Sequence, residues 1–157
     1  MQKKITIDYQ EFSYNSITDT DLKELIDATI QFADNAYAPY SKFHVGAGLR
    51  LNTGEIVKGA NMENASYPVS ICAERNLLSH TVSNYPNQKI TMLVVYVDKD
   101  LKVPVPPCGL CRQTLVEVEI RQNHPIQLIM VAKNGTVITL KSCKDLLPWS
   151  FDGSFLD

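Results

Sequence analysis

The chain has 157 residues, of which 45% are hydrophobic and 20% are charged. This length fits one domain, and the composition excludes a coiled coil, a collagen-like repeat or a disordered chain. Its 15 Lys and Arg against 17 Asp and Glu give a net charge of −2, without the basic excess typical of nucleic-acid-binding proteins.

No segment predicts a membrane span or a secretory signal. The longest apolar run, residues 92–97, is far shorter than the roughly 20 residues that cross a bilayer. The N-terminus has no long apolar stretch and soon becomes polar. We therefore expect a cytoplasmic protein with no membrane partner, in which the four cysteines stay reduced.

The first third of the chain predicts a short strand, a helix and a hairpin. Alternating apolar residues within residues 5–12 favour a strand, followed by a loop to residue 17. Asp19 or Thr20 can cap a helix that extends to about Asn35, since its apolar residues recur at spacings of three and four. Residues 43–51 and 55–59 are predicted strands joined by a turn at Gly54.

The rest of the chain alternates helices with strands. Ser70 is placed to cap a helix over residues 71–82, and the apolar run 90–97 predicts a strand covered on both faces. Such interleaving indicates a central sheet with helices on its faces. The remaining predicted elements are a helix from Cys108 to about residue 120, strands at 126–132 and 137–140 joined by a turn at Asn134-Gly135, and a short helix at 144–147.

Three of the four cysteines fall at predicted helix starts. Cys72 lies in the first turn of the second helix, and Cys108 and Cys111 lie in the first turn of the third. Helix N-termini stabilise thiolates, and three thiolates around Zn²⁺ leave one tetrahedral position open, as in a catalytic site. A redox dithiol, a closed structural zinc site and cysteines that merely pack in the core are the alternatives, and Cys143 is predicted to be a buried thiol of this last kind.

Glu74 distinguishes the catalytic interpretation from these alternatives. It follows Cys72 by two residues, so its carboxylate can lie beside the open metal position. Zinc lowers the pKa of a bound water, and an adjacent carboxylate can take that proton and deliver it as a general acid.

The combined motifs resemble the zinc-dependent cytidine deaminase family. Cys72-Ala73-Glu74 is followed by Pro107-Cys108-Gly109-Leu110-Cys111-Arg112-Gln113, which matches the family's zinc motifs. Four more matching segments occur in order: residues 36–43, 45–47, 61–67 and 146–148 with Phe151. The resemblance covers about residues 20–156. It implies an α/β protein with a three-layer α-β-α fold and a mixed five-stranded sheet whose last two strands are antiparallel. The chain is expected to be a single domain, 1–157, with residues 1–17 as an unassigned N-terminal extension.

The resemblance also implies a role for each matched residue. Cys72, Cys108 and Cys111 hold Zn²⁺, and Glu74 moves protons between the water, ring N3 and the leaving ammonia. The residues implied to bind substrate or support the metal are Phe43 against the nucleoside, Asn61 and Glu63 at the ribose hydroxyls, Ala73 through its backbone N–H at the base carbonyl, Phe151 on the base in a neighbouring subunit, and Arg75 as a donor to a ligand sulfur.

The implied activity is hydrolytic deamination of cytidine and deoxycytidine in pyrimidine salvage, by a homotetramer or alternatively a dimer. A modified cytosine nucleoside such as blasticidin S is the alternative substrate, and a nucleotide or nucleic acid is a further one. The net charge of −2 argues against nucleic acid, and Glu63 would repel a phosphate. The direct Asn134-Gly135 turn also resembles the nucleoside branch, because relatives acting on nucleic acid usually insert a helix there.

Overall fold

The computed structural model describes residues 1–156, which form one mixed six-stranded sheet and three α-helices. The helices are α1 (Thr20–Phe32), α2 (Ala73–Asn84) and α3 (Gly109–Gln122). The strands are β1 (Gln10–Ser13), β2 (Val45–Leu51), β3 (Ile56–Ala60), β4 (Ile90–Val97), β5 (Gln127–Val131) and β6 (Thr136–Leu140).

The sheet has the strand order β1-β6-β5-β4-β2-β3. Strands β4 and β5 are parallel, and the other neighbouring pairs are antiparallel. The predicted mixed sheet with antiparallel last strands is therefore confirmed. The hairpin turn between β5 and β6 lies at Asn134-Gly135, where Gly135 takes the positive φ of 86° that this turn requires.

The prediction of five strands is wrong, because the N-terminal extension contributes a sixth. Residues 10–13 pair with the outer edge of β6, from Gln10 opposite Thr139 to Ser13 opposite Thr136. The Tyr14 N–H donates to the Gly135 carbonyl at 2.8 Å, and the Phe12 and Tyr14 side chains pack against the core beneath the sheet. The extension thus covers backbone groups of β6 that would otherwise form an open sheet edge.

Helices cover both faces of the sheet, which confirms the three-layer architecture. Leu22, Leu25 and Ile26 of α1 pack on one face, against residues of β4, β5 and β6. Helices α2 and α3 pack on the other face through Leu77, Leu78 and Leu115 among others. Strand β4 lies between the two layers, so its apolar run serves both cores.

The helix starts follow from local hydrogen bonds. The Asp19 carboxylate caps α1 by accepting from the N–H groups of Asp21 and Leu22, as predicted. Ser70 does not cap α2. Ile71 is drawn into a bridge with Met62, so α2 begins only at Ala73, with Cys72 at the N-cap.

Close packing brings α2 onto β3 at a single glycine. A Cβ at Gly59 would lie 2.9 Å from the Leu77 Cβ, so only glycine permits this approach.

After β6, the chain forms a 3₁₀ turn at Cys143–Leu146 where a short helix at 144–147 was predicted. None of the helices within residues 1–156 combines the length and apolar character needed to cross a membrane.

Candidate active site

The three cysteines singled out by their spacing come together at the N-termini of α2 and α3. Cys72 and Cys108 occupy the two N-cap positions, where neither makes a side-chain capping bond, and Cys111 lies in the first turn of α3. The three sulfurs lie within 4.8 Å of one another. The Cys72 and Cys108 sulfurs are 4.0 Å apart, and the Cys108 and Cys111 sulfurs 3.5 Å.

These separations fit a tetrahedral zinc site. A Zn–S bond of about 2.3 Å at tetrahedral angles places two ligand sulfurs roughly 3.8 Å apart, close to both distances. Cys111 is buried, Cys72 half-buried and Cys108 exposed. The set offers three sulfur donors, one fewer than a closed tetrahedral zinc site, and Cys72 and Cys108 line a cavity.

The cluster also favours a thiolate at one of its cysteines. The neighbouring Cys111 thiol lowers the pKa of Cys72 to about 6, against the opposing effect of burial. The proximity of the Cys72 sulfur, together with burial, raises the pKa of Cys111. The Arg75 charge assists Cys72, although the predicted hydrogen bond from Arg75 to a sulfur is not present in the part of the chain described. Cys143 is buried away from this cluster, as the first residue of the 3₁₀ turn, and is the buried thiol that was predicted.

Glu74 lies in the first turn of α2 and is 4% exposed. It lines the same cavity as Cys72 and Cys108. Burial raises the pKa of this carboxyl, because the charged form loses its solvation. A carboxyl shifted toward neutral pH is better suited to take up and return a proton during turnover.

The cavity holds about 280 Å³ and brings together most of the predicted substrate-binding residues. Its wall includes Phe43, Asn61, Glu63 and Ala73, with Pro106 from the segment between β4 and α3. Phe151 does not line this cavity. It lies on the C-terminal segment, is 57% exposed and stacks on Phe155 with 5.8 Å between ring centroids.

Asn61 binds the backbone that leads into β2. Its Oδ1 accepts from the Val45 N–H at 2.8 Å, and its Nδ2 donates to the Phe43 carbonyl at 2.9 Å. A side-chain amide has two donor hydrogens and two acceptor lone pairs, so one of each remains for a ligand. Asn61 therefore shapes the wall of the cavity and keeps hydrogen-bonding capacity toward it.

Glu63 is bound to the loop that precedes Phe43. Its carboxylate accepts from the N–H groups of Tyr40 and Ser41, at 3.0 and 3.2 Å, and from the Ser41 hydroxyl. These donors, the Ser41 hydroxyl above all, lower the pKa of Glu63. Because a carboxylate offers about four lone-pair positions, Glu63 can still accept from a ligand hydroxyl.

Two residues of this site escaped prediction from the sequence. Ser41 fixes Glu63 through its hydroxyl, and the Lys99 ammonium lies 5.5 Å from the centroid of the Phe43 ring, a cation–π contact. Each partner lies more than 20 residues away along the chain, and no local pattern marks either contact.

Three sulfur donors beside a cavity, with no fourth candidate ligand in their cluster among the described residues, are typical of a catalytic zinc site. A family model, "Cytidine and deoxycytidylate deaminase zinc-binding region", matches residues 19–124. The chain belongs to this family.

Relatives and solved structures agree with this assignment. The chain is 45% identical over 98 residues to a cytidine deaminase of Halalkalibacterium halodurans, covering 62% of this chain and 72% of the relative. The crystal structure of cytidine deaminase from Burkholderia pseudomallei superposes with a TM-score of 0.72 at 34% identity, covering 82% of this chain and 97% of that one. A blasticidin-S deaminase of Bacillus cereus is 28% identical over 142 residues, or 87% of this chain and 95% of the relative.

Proposed function

We propose that this protein hydrolyses cytidine and deoxycytidine to uridine and deoxyuridine with release of ammonia. The observation that carries the proposal is the convergence of three zinc-competent sulfurs and the buried Glu74 carboxyl on one cavity. The cytidine deaminases of H. halodurans and B. pseudomallei support the choice of substrate. The alternatives of a redox dithiol and a closed structural zinc site leave this carboxyl without a function.

Zinc, when bound by Cys72, Cys108 and Cys111, supplies Lewis-acid chemistry and makes water a stronger acid. Glu74 accepts a proton from the attacking water, delivers one to ring N3, and then moves a proton to the departing amino group. The balance is one cytidine and one water to one uridine and one ammonia. Burial of Glu74 excludes bulk water from these transfers.

The wall of the cavity supplies the contacts that hold the nucleoside. Asn61 and Glu63 bind the sugar hydroxyls with the hydrogen-bonding positions they have left over, and the Phe43 ring packs against the nucleoside. The Ala73 N–H, at the start of α2, donates to the base carbonyl. The Pro106 carbonyl, on a residue that also lines the cavity, accepts from the amine of the base.

The proposed oligomeric state rests on the C-terminal segment. The exposed Phe151 ring lies outside its own cavity, which supports its stacking on a base in a neighbouring subunit. We therefore propose a homo-oligomer, a tetramer or alternatively a dimer. We also propose one domain over residues 1–157, supported by the pairing of β1 with β6, and a cytoplasmic enzyme of pyrimidine salvage.

Blasticidin S is the second candidate substrate, because the likeness to the B. cereus blasticidin-S deaminase covers 87% of this chain. An ammonia-release assay with the zinc-loaded protein compares cytidine, deoxycytidine, cytosine, blasticidin S and deoxycytidine monophosphate. We expect turnover of the two unmodified nucleosides and none of the nucleotide, which Glu63 repels. Turnover of blasticidin S alone would replace the proposed substrates, and no turnover of any compound would refute the proposed activity.

A further inference from the structure

Arg112 holds the backbone on both sides of the zinc-competent residue Cys108. Its Nε donates to the Pro107 carbonyl at 2.8 Å, and its own backbone N–H donates to the Cys108 carbonyl at 2.9 Å. The bond to the Cys108 carbonyl is the ordinary backbone bond of the first turn of α3, and the arginine side chain adds the bond to the Pro107 carbonyl on the other side of the Cys108 Cα. Fixing both peptide planes fixes the direction in which the Cys108 side chain leaves the backbone.

The same guanidinium connects this turn to the C-terminal segment. Its Nη1 donates to the Leu146 carbonyl at 3.1 Å. Leu146 ends the 3₁₀ turn Cys143–Leu146, whose first residue is held by the buried Glu119 of α3 through the Cys143 N–H, at 2.8 Å. Arg112 therefore links the turn that carries Cys108 to a segment that is itself hydrogen-bonded to α3.

We propose that Arg112 is a positioning residue for zinc, which acts by holding Cys108 in its ligating orientation. Without this restraint Cys108, which is exposed and lies before the first residue of α3, must lose more conformational freedom when it binds the metal. The sequence alone equally allowed a solvent-exposed helix charge at position 112, whereas the side chain is half-buried and makes two hydrogen bonds.

Arginine meets this requirement and lysine does not. The planar guanidinium donates from two nitrogens in a fixed fork, so it can reach two carbonyls at once. The single ammonium of lysine keeps the charge and reaches one carbonyl with good geometry. Arg112→Lys therefore keeps the charge and the backbone hydrogen bond but cannot bond the Pro107 and Leu146 carbonyls together, so it separates positioning from simple electrostatics.

The test measures zinc retention in the purified holoenzyme by competition with a chromogenic chelator. We expect Arg112→Lys and Arg112→Gln to bind zinc about 10- to 100-fold more weakly, the usual cost of losing a group that supports a metal ligand. Arg121→Lys, at an exposed position near the end of α3, is the matched control and should retain zinc as the original protein does. The melting temperature at saturating zinc should be similar in the Arg112→Lys and Arg121→Lys variants.

A second measurement follows the deamination of cytidine. Only this measurement, and not the zinc measurement, rests on the proposed function. With zinc saturating, we expect Arg112→Lys to lower kcat for cytidine and to leave KM nearly unchanged, because the sugar contacts are intact. Zinc affinity and kcat equal to those of the original protein in Arg112→Lys would overturn the proposal, as would equal weakening in Arg121→Lys. If Arg112→Gln does not fold, Arg112→Lys still decides the matter. Absence of cytidine turnover in the original protein would instead refute the proposed function and leave the zinc measurement valid.

Discussion

The two ends of the cavity take their side chains from different kinds of backbone. At the helix end, formed by Cys72, Glu74, Cys108 and Cys111, the N-termini of α2 and α3 present the side chains. The loop end is formed by Phe43, Asn61 and Glu63. Phe43 precedes β2, and Asn61 and Glu63 follow β3.

The difference lies in what these side chains already bind. Neither N-cap sulfur caps its helix, whereas Asn61 and Glu63 together accept or donate five hydrogen bonds that hold the neighbouring loop. A substitution at the helix end should therefore remove chemistry and leave the fold in place. A substitution at the loop end should change binding and local structure together.

The largest effect is expected for Cys108→Ala at the helix end. Zinc binding should be lost and deamination should fall below detection, because only two sulfurs remain. The side chain is exposed, so its loss leaves no cavity in the core. Metal analysis and circular dichroism check both parts. Cys143→Ala is the control, and it should keep its zinc; a zinc-loaded, active Cys108→Ala protein would contradict the assigned ligand.

Glu74→Gln should separate proton transfer from metal binding. The amide has nearly the same shape but cannot take up a proton, so we expect kcat to fall by about 10²- to 10⁴-fold. Zinc content and melting temperature should stay close to those of the original protein. Glu117→Gln, exposed on α3, is the control. Retained activity in Glu74→Gln would remove this residue from the mechanism.

At the loop end, Asn61→Ala should reduce both binding and stability. It leaves the Val45 N–H and the Phe43 carbonyl without their partner, which should lower the free energy of unfolding by about 1–3 kcal/mol. We also expect a higher KM for cytidine. Denaturant unfolding and steady-state kinetics measure the two effects, with Asn64→Ala as the control. A raised KM with an unchanged free energy of unfolding would contradict the expectation that substitutions at the loop end change binding and local structure together.

The smallest effect concerns the pH dependence of the loop end. The lowered pKa of Glu63 keeps its charged form, and the stability and binding that depend on that charge, present above its ordinary pKa. Both are lost only as the pH falls through the lowered value. The Kd of the product uridine, measured by calorimetry, should therefore stay constant down to about pH 4.3, the ordinary pKa of glutamate. Ser41→Ala removes the main donor and should move the loss of binding to higher pH; an unchanged profile would contradict this cause.

Prediction from the sequence succeeded best at the helix end. The spacing of Cys72, Cys108 and Cys111 relative to two helix starts was sufficient to predict that their sulfurs come together, because the first turn of a helix fixes the direction of its side chains. The start of α2 was misplaced by two residues, since Ile71 pairs with Met62, nine positions earlier, and local capping preferences do not register that bridge.

The loop end and the sheet edge were less accessible to prediction. Glu63 reaches Ser41 across 22 residues, and Asn61 reaches Val45 across 16, so each contact depends on the completed fold. The alternating pattern within residues 5–12 placed the first strand too early, since β1 spans Gln10–Ser13, and its pairing with β6, more than 120 residues later, is not encoded locally. The position of Arg112 likewise depends on the Leu146 carbonyl, 34 residues away.

The two described ends of the chain differ in a way that matters for handling the protein. Residues 1–9 are exposed, carry neither helix nor strand, and precede β1 at the edge of the sheet opposite β3. The C-terminal segment is tied to α3, where Gln113 donates to the Phe151 carbonyl at 2.8 Å. An affinity tag, a fluorophore or a solid support is therefore best attached at the N-terminus, where it leaves the C-terminal segment beside α3 undisturbed.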